Sequence, residues 1–278
     1  MSVLRIAGIQ MNCGNSKEKN IEKACRMIST AADRGVDVIC LPEMFSEVVP
    51  PAELNYKKGE KIPGPSTDRL REMARQFRVT IIAGSIIEQR EDKKFNTSIL
   101  INRRGEMIGK YSKIHLFDAF QFKESETITH GSELTVSEIN GMGVGLTICY
   151  DLRFPEIYRW LALQGAEVVF VPSAFVSPNM DHWRLCARAR ALENGIFIIG
   201  VNQIGEASGI NFLGRSLVVD PWGNIIASAS NREMVLFADL DTQVIEETRN
   251  QLPLLSQLRF GPPVLKGEPD ARNRIDHK

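Results

Sequence analysis

The chain has 278 residues, 43% of them hydrophobic, so it can bury a sizeable core. Lys plus Arg and Asp plus Glu number 34 each, and this balance gives no global field that favours nucleic acid or an anionic membrane surface. No apolar run approaches the roughly 18 residues of a membrane span. We therefore predict a cytoplasmic protein whose partners are small molecules and other protein subunits, with no nucleic acid and no membrane.

The cysteines and histidines indicate neither a disulfide framework nor a metal centre. The five cysteines are odd in number and scattered without CxxC spacing, which is typical of reduced thiols. The four histidines are equally dispersed, and the sequence contains neither HExxH nor GxxxxGK. We predict that the protein uses no metal and no cofactor.

Six apolar runs have the length and β-branched content of strands buried on both faces. In chain order they are residues 3–10, 36–42, 79–87, 144–150, 166–172 and 196–202. Helical patterns separate several of them, for instance from Ser16 to Arg34, before Gly35. The stretches NTSILINRRGEMIGKY and GRSLVVDPWGNIIASAS predict hairpins around Gly-containing turns, so the sheets should be mixed.

The two halves of the chain resemble each other weakly, and this similarity predicts how they pack. VDVICLPEMF resembles AEVVFVPSAF, and each is followed by a helical stretch, an apolar strand and a hairpin. No linker rich in Pro, Gly or Ser divides the chain, so we predict one α/β (α+β) domain over residues 1–252, a sandwich of two sheets with helices outside. The tail, 253–278, is rich in Pro and charge and should lie across a neighbouring subunit or fray.

Three segments combine reactive side chains with predicted strand ends: LPEMF, YSKIHLF and GLTICYDLRFPE. Cys149 precedes a helix that starts at Pro155, and a thiol at a helix N-terminus favours thiolate. A nucleophilic thiol needs a base or a cation beside it. Glu43 suits proton transfer. Lys113 with the backbone N–H of Tyr150 can bind a developing oxyanion. Each residue alone has an ordinary structural interpretation, and their combination predicts an active site.

These motifs resemble those of the nitrilase superfamily of carbon–nitrogen hydrolases, whose hallmark is a Glu-Lys-Cys triad in this chain order. VLRIAGIQMN, HWRLCARARALENGIFIIGVNQIG and GRSLVVDPWGNIIA are similar to further family segments, so the resemblance runs nearly end to end. It implies Glu43 as general base, Lys113 as oxyanion stabiliser and Cys149 as nucleophile. It also implies a four-layer α-β-β-α architecture, with 1–252 as the hydrolase domain, that assembles as homodimers or larger homo-oligomers.

The resemblance adds a fourth polar residue to the site and leaves two possible roles for each of two further residues. A second glutamate usually helps to position substrate in this family, and Glu124 lies where it is expected, with Glu126 as the neighbouring candidate. Arg153 either receives a substrate carboxylate through its bidentate fork or pairs with a helix acid such as Glu156, and we prefer the pairing. Phe175 either lines the pocket or belongs to the core.

The residues around the nucleophile separate branches of the superfamily. CYDLRFPE is similar to the amidase group, whereas true nitrilases usually carry Trp-Glu after the cysteine. KIHLFD and ARALEN most resemble the Nit-type and ω-amidase-like members. The predicted reaction is hydrolysis of a small, carboxylate-bearing amide to a carboxylic acid and ammonia through a thioester. Hydrolysis of N-carbamoyl compounds or of nitriles is the alternative.

Two interpretations from other classes remain. In a Cys-His thiol hydrolase, His115 or His182 would replace Glu43 as the base. His115 lies two residues beyond Lys113, so on a strand the two side chains would share a face. The second is a scaffold that keeps the fold with an idle site. Such a protein would be expected to lack a triad residue, and this sequence contains all three.

Overall fold

The structure, a computed structural model, describes residues 3–48, 59–176 and 180–260. Its first sheet has seven strands in the order β15-β1-β2-β3-β5-β4, with β6 paired to β5. These strands, numbered in chain order, are β1 (Val3–Gln10), β2 (Val38–Cys40), β3 (Thr80–Ile82), β4 (Ile86–Arg90), β5 (Lys93–Ile101), β6 (Met107–Ser112) and β15 (Met234–Asp241). Strands β1, β2 and β3 are parallel, and the other pairs are antiparallel, so this sheet is mixed as predicted.

The second sheet has six strands in the order β14-β13-β10-β9-β8-β7. They are β7 (Val136–Ile139), β8 (Met142–Leu146), β9 (Val168–Ser173), β10 (Phe197–Asn202), β13 (Leu217–Val219) and β14 (Ile225–Ser228). Strands β8, β9 and β10 are parallel, and antiparallel hairpins flank them. A separate hairpin consists of β11 (Ile204–Ala207) and β12 (Ile210–Leu213). Both hairpins predicted from the sequence are present, as β5–β6 and β13–β14.

The described residues form five α-helices, of which the first four cover the outer faces of the two sheets. They are α1 (Lys17–Ala32), α2 (Pro65–Phe77), α3 (Pro155–Leu163), α4 (Met180–Asn194) and α5 (Gln243–Gln251). One buried cluster joins α1 and α2 to the outer face of the first sheet. A second cluster joins the facing surfaces of the two sheets to α3 and α4. The predicted α-β-β-α sandwich is therefore confirmed.

Strand β1 shows why its sequence is apolar without alternation. Ile6 points between the sheets, whereas Ala7 and Ile9 belong to the cluster under α1 and α2. Both faces of the strand are buried, and each large aliphatic side chain buried in this way contributes roughly 1.5–3 kcal/mol. Gly8 faces Val201 of the opposite sheet, where an added Cβ would come within 3.0 Å of a valine methyl. The small residue lets the sheets approach closely.

The run 79–87, predicted as one strand, is two strands, because the chain turns sharply at Gly84. Gly84 has φ +55°, and a Cβ there would lie 2.0 Å from the carbonyl oxygen of Pro42. The neighbouring Ser85 donates its backbone N–H to Pro42 O at 3.3 Å and accepts the N–H of Met44 at 2.9 Å. The turn at Gly84 and Ser85 therefore holds Pro42 and Met44, the residues on both sides of Glu43.

The end of the chain is described only in part. Residues 253–260 form turns after α5, in which Gln257 N donates to Pro253 O at 3.2 Å. Residues 261–278 lie outside the described part, so the predicted role of the tail and the boundary at 252 stay predictions. Among the helices of the described residues, none is long and apolar enough to cross a bilayer.

We expect Gly84→Ala to lower the free energy of unfolding by about 2–5 kcal/mol. A left-handed residue with a side chain costs roughly 1–2 kcal/mol, and forcing a methyl group against a packed backbone adds about 1–3 kcal/mol. The matched control is Gly141→Ala, at φ +82° with no atom within 4 Å of the new Cβ. Urea unfolding measures both variants; equal losses would mean that close approach to Pro42 contributes nothing.

Candidate active site

Glu43 lies in the turn after β2 and is almost entirely buried. Its Oε1 accepts hydrogen bonds from Lys113 Nζ and Asn96 Nδ2, both at 2.9 Å, and its Oε2 accepts the backbone N–H of Ala174 at 2.8 Å. The side-chain amide of Gln203 donates to the backbone carbonyl of Glu43 at 2.7 Å. Contacts from both sheets thus fix the position of this carboxylate.

Lys113 follows β6 and is also buried, with 2% of its surface exposed. Its backbone N–H donates to Asn96 O at 2.8 Å, which extends the pairing of β5 with β6 beyond the strand end. Its Nζ lies 2.9 Å from Glu43 Oε1 and 2.9 Å from Glu124 Oε2. Burial lowers the pKa of the Lys113 ammonium, but the charges of the two carboxylates raise that pKa well above its usual value. The lysine is therefore cationic at neutral pH.

Glu124 begins a short 3₁₀ helix and completes the charged group around the lysine. Its Oε2 also accepts the backbone N–H of Phe117 at 2.7 Å, and its Oε1 accepts Asn96 Nδ2 at 3.2 Å. The neighbouring candidate, Glu126, is exposed. Of the two glutamates considered from the sequence, the structure thus brings Glu124 to the other predicted site residues.

Cys149 is the first residue of the 3₁₀ helix Cys149–Arg153 and has a left-handed backbone, with φ +46°. Such a conformation is uncommon for a residue with a side chain and is concentrated at functional sites. Burial raises the pKa of the Cys149 thiol, the charge of Glu43 raises it further, and Lys113 lowers it, so that the pKa lies well above its usual value. The helix N-terminus, which favours thiolate, is thus opposed by burial and by the charge of the glutamate.

Asp151 connects the turn that carries the cysteine to the strand end that carries the lysine. Its carboxylate is fully buried and accepts Tyr111 Oη at 2.7 Å and the backbone N–H groups of Ile148 at 3.0 Å and His115 at 2.9 Å. The Nδ1 of His115 lies 2.8 Å from the same carboxylate, and the imidazole stacks on Phe154 with centroids 3.6 Å apart. His115 is therefore held in place from two sides.

One cavity collects the predicted site residues. It is lined by Glu43, Lys113, Glu124, Cys149, Tyr150, Arg153 and Phe175. Phe117, Phe122 and Phe212 contribute apolar walls. Neither His115 nor His182 is among the lining residues. Phe175, for which the sequence left the pocket and the core open, is both buried and in contact with the cavity.

Arg153 does not pair with Glu156 in the structure. Its guanidinium carbon lies 5.0 Å from the ring centre of Phe175 and 6.0 Å from that of Tyr150, at the cavity wall. The 3₁₀ turn directs the side chain toward these rings instead of along α3. Among the described residues Arg153 makes no ion pair, and its polar contact is with His182 Nδ1 at 3.4 Å. The preferred interpretation of this arginine is therefore corrected.

Sequence reasoning missed Asn96 and Asp151. Asn96 lies within β5 and is fully buried, although asparagine is depleted in strands. A buried amide needs hydrogen-bond partners, so the asparagine in FNTS is a signal that could have been used. Asp151 resembles an ordinary acid in the first turn of a helix, and no local pattern indicates its four contacts.

The comparisons with known proteins agree with this geometry. Residues 5–250 match the carbon–nitrogen hydrolase family. The chain belongs to that family. The human omega-amidase NIT2 is 35% identical to this hydrolase over 269 residues, which are 93% of this chain and 96% of that protein. Nitrilase homolog 2 of Dictyostelium discoideum is 35% identical over 92% of this chain and 81% of its own length.

Solved structures resemble this carbon–nitrogen hydrolase in fold as well as in sequence. Nit3 of Saccharomyces cerevisiae, a member of the nitrilase superfamily, is 33% identical, has a TM-score of 0.85, and covers 93% of this chain and 97% of its own. An amidase from Nesterenkonia sp. is 26% identical, with a TM-score of 0.80 and coverage of 90% and 95%. The predicted superfamily, its Nit-type branch and its amidase class are confirmed.

We expect Asp151→Ala to destabilise the hydrolase by about 3 kcal/mol or more. The change leaves Tyr111 Oη and the backbone N–H groups of Ile148 and His115 without an acceptor, and each buried unpaired group costs about 1–3 kcal/mol. Chemical denaturation measures the loss against Glu138→Ala, which removes an exposed carboxylate and should change stability by at most about 0.5 kcal/mol. Similar losses for both variants would contradict the role assigned to Asp151.

Proposed function

We propose that this carbon–nitrogen hydrolase cleaves a small amide with Cys149 as the covalent nucleophile. The observation that carries the proposal is the position of Lys113, whose ammonium bridges Glu43 and Glu124 in the cavity that Cys149 lines. This arrangement supplies a thiol, a base and a fixed positive charge within one site. Those are the three requirements of attack by a cysteine on a carbonyl carbon.

In the first step Glu43 accepts the proton of the Cys149 thiol while the sulfur attacks the amide carbon. The electron pair of the carbonyl moves onto its oxygen, and Lys113 with the backbone N–H of Tyr150 binds the resulting oxyanion. Lys113 has three N–H donors, of which two are directed to the glutamates, so one remains for the oxyanion. The raised pKa of the thiol makes the transfer to Glu43 necessary.

Collapse of the tetrahedral intermediate breaks the carbon–nitrogen bond. Glu43 returns the proton to the departing nitrogen, ammonia leaves, and the acyl group remains on Cys149 as a thioester. Glu43 then takes a proton from water, and the hydroxide attacks the thioester carbon. The carbon–sulfur bond breaks, Glu43 returns its proton to the sulfur of Cys149, and a carboxylic acid leaves. Glu124 holds the lysine throughout and can accept an N–H of the substrate amide.

Arg153 supports a substrate with a carboxylate at the end opposite its amide. The guanidinium lies at the cavity wall over Phe175 and Tyr150. Its Nη1 and Nη2 lie 3.4 and 3.5 Å from Nδ1 of His182, and within the described residues it pairs with no carboxylate. Arginine binds carboxylates in a bidentate geometry. Phe117 and Phe122 line the path with apolar surface that suits methylene groups. The names of the omega-amidase relatives support the same substrate class, an ω-amide of a dicarboxylic or keto acid.

Self-association and a cytoplasmic location are further parts of this proposal. Exposed apolar side chains lie on α4 and on the β13–β14 hairpin, where a Cβ at Gly223 would lie 3.3 Å from Leu192. Leu185, Leu192, Trp222 and Ile226 belong to this surface. Exposed apolar side chains near one another are typical of a protein–protein interface.

We expect Cys149→Ala and Glu43→Gln to abolish ammonia release. Lys113→Met should reduce it by at least about 10²–10³-fold, because one oxyanion donor is lost together with the charge that balances the glutamates. The substrates are a panel of ω-amides, simple aliphatic amides, N-carbamoyl amino acids and nitriles. Circular dichroism verifies that each variant is folded.

The variants also separate the alternatives. A Glu43→Gln protein that keeps wild-type activity would favour a histidine as the base, and a fully active Cys149→Ala protein would exclude the cysteine mechanism. A wild-type protein that releases no ammonia from any class would favour the scaffold. Cleavage of N-carbamoyl compounds or nitriles in preference to amides would overturn the amide assignment.

Arg153→Met should lower kcat/KM for a carboxylate-bearing ω-amide by about 10–100-fold, since a hydrogen-bonded ion pair is lost. The matched substrate is an uncharged aliphatic amide of the same length, for which kcat/KM should change little. Arg153→Lys keeps the charge but not the fork, so its kcat/KM for the ω-amide should lie between the values of the wild type and Arg153→Met. Equal losses for both substrates would mean that Arg153 supports the cavity wall and does not recognise a carboxylate.

A further inference from the structure

We propose that Asn96 is a positioning residue that keeps Glu43 and Glu124 ionised side by side around Lys113. This inference deepens the proposed function and depends on it, because an ionised Glu43 is the group that receives the proton of Cys149. Asn96 lies on β5 at the pairing with β6 and is completely buried.

Asn96 contacts the three charged residues of the site. Its Nδ2 donates to Glu43 Oε1 at 2.9 Å and to Glu124 Oε1 at 3.2 Å. Its backbone carbonyl accepts the N–H of Lys113 at 2.8 Å. The lysine and the asparagine amide therefore bridge the same two carboxylates.

The hydrogen-bond chemistry of Asn96 matches two ionised partners. An amide NH₂ has two donors, and both are directed to carboxylate oxygens. An ionised carboxylate only accepts hydrogen bonds, so the reversed amide would place its oxygen against two acceptors. The Oδ1 of Asn96 has no hydrogen-bond partner within the described residues. The amide is thus oriented by its two N–H bonds alone.

Two carboxylates that share a buried site normally do not both stay ionised, because each disfavours the charge of the other. The titratable groups that face this pair are Lys113 and the thiol of Cys149, with Arg153 farther along the cavity wall. One ammonium balances one carboxylate. The N–H groups of Asn96, with those of Phe117 and Ala174, stabilise the second negative charge.

In this role Asn96 affects the chemistry although its side chain does not touch the reacting atoms. If the donors of Asn96 are removed, the pair of carboxylates should take up a proton at higher pH. A free enzyme with that proton on Glu43 has no acceptor for the thiol proton, so turnover stops. The loss should depend on pH and disappear on the alkaline side.

The test is the pH dependence of kcat/KM, which reports groups of the free enzyme. In Asn96→Leu, which keeps the volume but has no donor, the acidic limb should move up by about one pH unit or more. Ser98→Ala is the matched control: Ser98 is buried on the same strand and touches none of the site carboxylates, and its limb should stay at the wild-type pH.

Asn96→Ala removes the same two donors and adds no charge, so its acidic limb should also move up. If Asn96→Leu does not fold, Asn96→Ala decides alone. A uniform loss of activity with an unmoved limb would overturn the inference and leave Asn96 a packing residue. Cys149→Ala, assayed in parallel, separates the two proposals. If Cys149→Ala is inactive and the acidic limb of Asn96→Leu is unmoved, only the role of Asn96 is refuted. If Cys149→Ala is active, the cysteine mechanism itself is refuted.

Discussion

The structure of the site depends on one buried ammonium held between two carboxylates. Taking these charges out of water costs several kcal/mol for each ion unless good hydrogen bonds compensate for the lost hydration. Lys113 meets this condition through Glu43 and Glu124, and the glutamates meet it through Asn96 and backbone N–H groups. Because every member needs the others, removal of one partner leaves an uncompensated charge.

The two-sheet sandwich supplies what such a cluster needs, because strand ends from both sheets meet around it. Glu43 follows β2 and Lys113 follows β6 of the first sheet, whereas Cys149 follows β8 and Ala174 follows β9 of the second. The turn at Gly84 packs directly against the backbone carbonyl of Pro42, the residue before Glu43. Packing between the sheets therefore fixes the distances between residues that lie more than a hundred positions apart in the chain.

The sequence predicts the reactive residues better than the residues that hold them. Glu43, Lys113 and Cys149 lie at the ends of recognisable apolar strands, inside extended motifs. The succession of strands and helices that builds the sandwich is recognisable in the same way. Asn96 depends on the pairing of Thr97 with Ser112, which no local pattern reveals. The helix start at Pro155, which favours a thiolate, is visible in the sequence, whereas the burial that raises the pKa of Cys149 is not.

The charges of the cavity suggest why a carboxylate-bearing amide suits it. In the proposed reaction both glutamates are ionised, so with one lysine the inner end carries one excess negative charge, and the guanidinium of Arg153 lies at the wall. In the proposed reaction an anionic group is repelled from the inner end and attracted by Arg153. The uncharged amide then reaches the thiol without competition from the other end of the molecule. Burial, with the charge of Glu43, raises the pKa of Cys149, so in the proposed reaction the thiolate forms only as Glu43 takes its proton.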